Sequence, residues 1–196
     1  MQFITKQSDY DSMMTRLTAL FELGRELPEA VFRVPPARFV FVAEGLVWQP
    51  EAWPALTELA RFYGDTSIDF VANPKAKPDW MEYGYPHLGA ATIGIDEDIH
   101  AFRTFGWAGD PSALILGSMS LAIAVRSAGF GMWSQRARDL AVFGLYDLPG
   151  RSAVDAPFRL PTIDLDEALG ILSMGIPDAD AFAEVAEQMR RNYRIP

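Results

Sequence analysis

Cysteine is absent from the 196-residue chain, and histidine occurs only at positions 87 and 100. The first absence excludes disulfides, thiolate metal centres and cysteine nucleophiles. The second restricts acid–base chemistry: a hydrolase triad would have to use His87 or His100. None of Ser112, Ser118, Ser120 and Ser127 has the Gly-x-Ser-x-Gly setting of a nucleophile elbow. Basic side chains are also in the minority. Seventeen face 26 acidic ones, for a formal charge of −9, which argues against general nucleic-acid binding. No apolar run reaches membrane-spanning length: the uncharged stretch 111–125 is too short and contains Gly117, Ser118 and Ser120. The N-terminus, MQFITKQSDYDSMM, lacks a basic segment followed by an apolar one. The expectation is a soluble, cytoplasmic protein with neither nucleic-acid nor membrane partners.

Several ligand motifs are missing or incomplete. Glu97 and His100 form one Glu-x-x-His pair, whereas di-metal carboxylate proteins use two such pairs with further glutamates. No metal site is expected. Ala128-Gly129-Phe130-Gly131 is glycine-rich, but its spacing is not that of a dinucleotide fingerprint, and no Gly-Lys-Ser/Thr phosphate loop occurs.

What is present suits a globular chain: 49% hydrophobic and 22% charged residues, enough for one α+β domain over 1–196. The spacing of Met13, Leu17, Leu20, Phe21 and Leu23 predicts an amphipathic helix over 9–26. Strands are expected at 38–43 and 67–72, with a helix from about 51 to 63 between them. Residues 73–110, rich in proline, glycine and aromatics, read as irregular, with a short strand near 91–95. Strand is expected at 130–135, while 136–146 and 164–173 fit helix or strand. A last helix covers 178–192, acidic at its start and basic at its end.

The stretch expected to organise the chain is Asp110–Trp133. Asp110-Pro111-Ser112 is a helix-start signal, Gly129 a stop, and apolar or small residues occupy every side between them. A helix apolar all round is buried all round. The expected fold class is therefore α+β, organised about a buried apolar helix at about 111–128.

Ala124, Gly129, Phe130, Gly131 and Trp133 resemble the end of the buried small-residue helix in nitroreductase-family flavoproteins. Gly175-Ile176-Pro177 is similar to that family's Gly-Tyr-Pro segment, and the order of elements across 36–72 also matches. The resemblance implies a nitroreductase-like fold, with a central, mainly antiparallel sheet packed around that helix, an intertwined homodimer, and FMN at its interface. It implies an oxidoreductase that passes hydride from NAD(P)H through the flavin to a small electrophilic acceptor, the cofactor carrying the chemistry. Gly129, Phe130 and Gly131 would line the flavin edge and Trp133 would wall the site. Arg38, Arg191 and Arg194 are the phosphate candidates. Two family segments are lacking. Only Lys6 and Ser8 echo the N-terminal Arg-x-Ser-x-Arg, and Val34–Arg38 lacks the Ser, Asn and Gln that bond the flavin ring.

The competing class is a non-catalytic acidic binding protein, such as an immunity or antitoxin-type protein that caps a basic toxin. The −9 charge would speed capture, and Trp48, Trp80, Tyr83, Tyr85 and Trp107 are candidate anchors. On the flavin reading, Gly131→Val is expected to abolish FMN binding while leaving a folded protein, checked by absorption spectroscopy and circular dichroism.

Overall fold

The computed structural model describes residues 1–74, 87–98 and 118–193. Among the described residues, seven strands form one antiparallel sheet: β1 (Gln2–Phe3), β2 (Arg38–Ala43), β3 (Ser67–Ala72), β4 (Ala90–Gly94), β5 (Ser120–Val125), β6 (Phe130–Gln135) and β7 (Leu140–Leu145). Their spatial order is β1-β4-β3-β5-β6-β7-β2. The described helices are α1 (Gln7–Leu20), α2 (Glu44–Val47), α3 (Ala52–Tyr63), α4 (Leu165–Ser173) and α5 (Ala179–Asn192). Among the described residues no helix is long and apolar enough to cross a membrane.

The expected central helix is corrected over its second half. Residues 120–125 are strand β5, paired on one side with β3 and on the other with β6. Residues 111–117 lie outside the described residues. The physical reason is that a strand covered on both faces is also apolar throughout, so continuous hydrophobicity does not separate it from a buried helix. The alternation inside β5 is one of size. Leu121, Ile123 and Val125 face one core, and Ala122 and Ala124 face the other.

That division runs across the sheet. One face carries Phe70, Ile123, Phe130, Met132 and Phe143 and is covered by Trp53, Leu56, Leu59 and Tyr63 of α3. The other carries Phe39, Phe41, Ala124, Trp133 and Val142 and is covered by α1, α4 and α5. Tyr10, Met13, Leu17 and Leu20, spaced three or four apart, make the buried stripe of α1. This helix stops at Leu20, earlier than expected, because Phe21 turns extended and bridges to Phe32. The Phe21 ring then fills the space beside Trp133, 5.7 Å between centroids. Across the same face Arg16 of α1 holds the buried Asp69 of β3, whose other carboxylate oxygen accepts from the Thr92 hydroxyl of β4.

Trp48, a candidate surface anchor, is instead buried, and its indole N–H donates to the Glu44 carboxylate at 2.5 Å. The stretch 44–47 is the short helix α2, which places that carboxylate one turn before the indole.

Ile123→Ala in the central strand is expected to cost about 2–5 kcal/mol by cavity formation. Met119→Ala, at a largely exposed side chain, should stay within about 0.5 kcal/mol. Denaturant titration of both variants checks the pair.

Candidate functional site

The residues proposed to hold a flavin divide into a buried group and an edge group. Phe130 and Trp133 are fully buried in β6. Gly129 lies under α3: a Cβ there would sit 2.2 Å from Cδ1 of Tyr63. Gly131 faces the opposite core, where a Cβ would meet Cζ of Phe21 at 2.7 Å and Cδ1 of Leu20 at 3.4 Å. These glycines are small because aromatic side chains of this chain occupy the adjoining space. The segment therefore does not fit an isoalloxazine ring, and Gly129, Phe130, Gly131 and Trp133 present no edge to a ligand.

The turn before β6 is closed by hydrogen bonds to Asp65. Asp65 accepts from the backbone N–H of Ser127 at 2.9 Å and from its hydroxyl at 2.5 Å, and Ala128 adopts φ +58°. The Tyr63 hydroxyl is buried. Burial, with Asp147 adding to it against Arg38, pushes that hydroxyl up to about 12, so it stays protonated. His87 is also structural: its ring stacks on Phe3 at 4.7 Å, and Nδ1 accepts from the Gly89 N–H at 3.0 Å. His100 and Ser112 lie outside the described residues. Glu97 bonds the N-terminal amine, which lowers its pKa. Among the described residues no group of three or more acidic or histidine side chains could hold a metal ion.

The edge group is more open. Arg38 begins β2, the last strand of the sheet, and lines a cavity of about 370 Å³ with Phe39–Phe41, Thr162–Leu165 and Tyr193. Arg191 is exposed in the last turn of α5, two residues before Tyr193, and Arg194 lies outside the described residues. The structure thus brings Arg38 and the end of α5 to one region and leaves the glycine segment elsewhere. Sequence reasoning missed the cavity because its far wall, 162–165, is a loop and helix start with no ligand motif.

Each wall has a local cause. Ile163 donates its N–H to the Phe41 carbonyl at 3.0 Å, an isolated antiparallel bridge on the outer edge of β2. Asp164 then starts α4 with a capping box: its carboxylate accepts from the Glu167 N–H at 2.8 Å, and the Glu167 carboxylate accepts from the Asp164 N–H at 3.0 Å. The Tyr193 ring stands edge-on to Phe39 and Phe41, 5.1 and 5.8 Å away. Its hydroxyl donates to the Glu29 carbonyl and accepts from the Val31 N–H. Burial raises the Tyr193 pKa well above the ordinary phenol value, so it is a fixed wall and no proton shuttle.

The charge beside this edge is one-sided. Residues 164–193 carry seven carboxylates, Asp164, Asp166, Glu167, Asp178, Asp180, Glu184 and Glu187, against Arg190 and Arg191. All seven are exposed, because Ala168, Leu169, Leu172, Ala186 and Met189 turn the apolar sides of α4 and α5 inward. These thirty residues hold a net −5 of the chain's −9.

Gly131→Val is now expected to act through packing. Displacing Phe21 should destabilise the fold by about 1–3 kcal/mol or more, seen as a lowered thermal midpoint with or without FMN present. Comparison with protein-family models, with curated proteins and with solved structures finds no match for this chain.

Proposed function

We propose that this chain is a non-catalytic acidic binding protein that captures a basic protein partner, as an immunity or antitoxin-type protein does. The observation that carries this reading is the outward display of seven carboxylates on the α4–α5 hairpin while its apolar sides are buried. Such a surface raises the encounter rate with a basic partner and disfavours acidic ones. The polar groups at the sheet turns support the same conclusion. Asp65, Ser127 and His87 are engaged in backbone closure and do not converge on a reacting atom.

The competing reading, an FMN-dependent oxidoreductase using NAD(P)H, has one observation in its favour. Arg38 lines a cavity together with Tyr193, the residue that ends α5. A flavin would have to enter there, with Arg38 toward its phosphate, and not at Gly129–Trp133.

Two measurements separate the readings. Wild-type protein and an Asp180→Lys/Glu184→Lys/Glu187→Lys variant are used to capture partners from the source cell, and the partner recovered by wild type alone is purified. Its association rate should fall about tenfold or more between low salt and about 0.3 M salt, and the variant should lose most of that dependence. A salt-independent rate overturns electrostatic capture. FMN is separately added and the excess removed by gel filtration. Flavin bands that travel with the protein and bleach with NAD(P)H would replace the binding reading with the oxidoreductase one.

A further inference from the structure

Backbone geometry at β2 shows how a partner could be held. Peptide groups alternate sides along a strand. The Tyr146 N–H bonds the Gly129 carbonyl, so the neighbouring positions Leu145 and Phe143 turn their peptide groups to β2, opposite Arg38 and Val40. Phe39 and Phe41 consequently point their N–H and C=O away from the sheet. Phe41 finds Ile163 there. One pair further along the same ladder, the partner of Phe39 would be Leu165, but Leu165 is the first residue of α4. The added strand ends one step early because Asp164 caps a helix, and the cavity opens at that place.

We infer that this interrupted edge accepts an extended segment of the partner by strand addition, with basic side chains at alternate positions. This rests on the acidic-capture reading and names the surface that performs it. The inserted backbone bonds Phe39 and continues the ladder that Ile163 begins. Alternate side chains of an added strand point to opposite faces of the sheet. Those on the α4–α5 face meet Asp164, Asp166 and the acidic hairpin. Those on the other face lie with Arg38, which is two positions from Val40 and so shares its face, the α3 side, and they are therefore uncharged. Pro35 and Pro36 lie just before β2 and keep the accepting edge short, which limits unspecific pairing.

The probe is an end-capped eight-residue peptide of alternating Lys and Val, with a Glu–Val peptide as control. Amide exchange is followed by NMR on the full chain. In free protein the Phe39 amide should exchange at least about tenfold faster than that of Val40, which faces β7. The Lys–Val peptide should slow Phe39 at least about tenfold and leave Val40 unchanged. The Glu–Val peptide should not, and Asp166→Lys, at an exposed side chain, should weaken the effect. Lys–Val binding that shifts α4 and α5 without slowing Phe39 overturns strand addition and leaves acidic capture standing. No binding at millimolar peptide overturns both. Equal protection by the Glu–Val peptide overturns the charge selectivity. A Phe39 amide already slow in free protein and released on dilution would assign the edge to a second copy of this chain and overturn the proposal.

Discussion

Burial of the sheet on both faces is the constraint on which the other elements depend. Every residue of β6 and β7 is buried, so their apolar side chains must suit one of two separate cores. The cores differ in what they require. The α3 face uses large side chains on the sheet, with Ile123, Phe130, Met132 and Phe143 side by side. The opposite face is hollowed by Ala122, Ala124, Gly131 and Gly144, and into this hollow go Phe21 and Phe32. Close packing leaves no spare volume. The glycines of β6 and β7 are therefore the complement of the aromatics after α1.

The same constraint explains what the sequence disclosed and what it hid. β2, β3 and β6 were legible because short β-branched or aromatic runs stood between turn signals, and α5 because of its charge order. β5 was hidden because SLAIAV is uniformly apolar, and a helix and a doubly covered strand make the same demand of composition. Gly129–Trp133 misled for a related reason: small residues beside aromatics suit a flat ligand or a neighbouring ring of the same protein. Only the position of Phe21 and Tyr63, distant in sequence, distinguishes the two. Of the candidate residues, Arg38 was placed at an accessible edge, and the acidity of the C-terminal helices was readable directly. The cavity between β2 and 162–165 was not, because it arises from where a helix cap interrupts a strand.

Buried and exposed carboxylates are clearly sorted. Asp65, Asp69 and Glu44 are buried and each meets a donor: a turn, an arginine, an indole. They are needed by the fold and are unavailable to a partner. Among the described residues the carboxylates of α4 and α5 satisfy two helix N-termini and are otherwise exposed, with one long contact from Arg190 to Asp166 at 3.5 Å. Net charge alone does not make this distinction, and it is the second group that gives the surface its character.

The strand order also bears on how the chain assembles. The meander from β5 to β7 joins neighbours in sequence, so its pairing closes short loops and is quick to form. Arg38, by contrast, pairs with Leu145. As the chain leaves the ribosome, β2 must wait until β7 has been made, and until then Phe39, Val40, Phe41 and Val42 have no sheet to join. The strand that ends as the outer rim of the finished molecule is one of the first synthesised, and its apolar side chains depend longest on the surrounding cell for protection from aggregation.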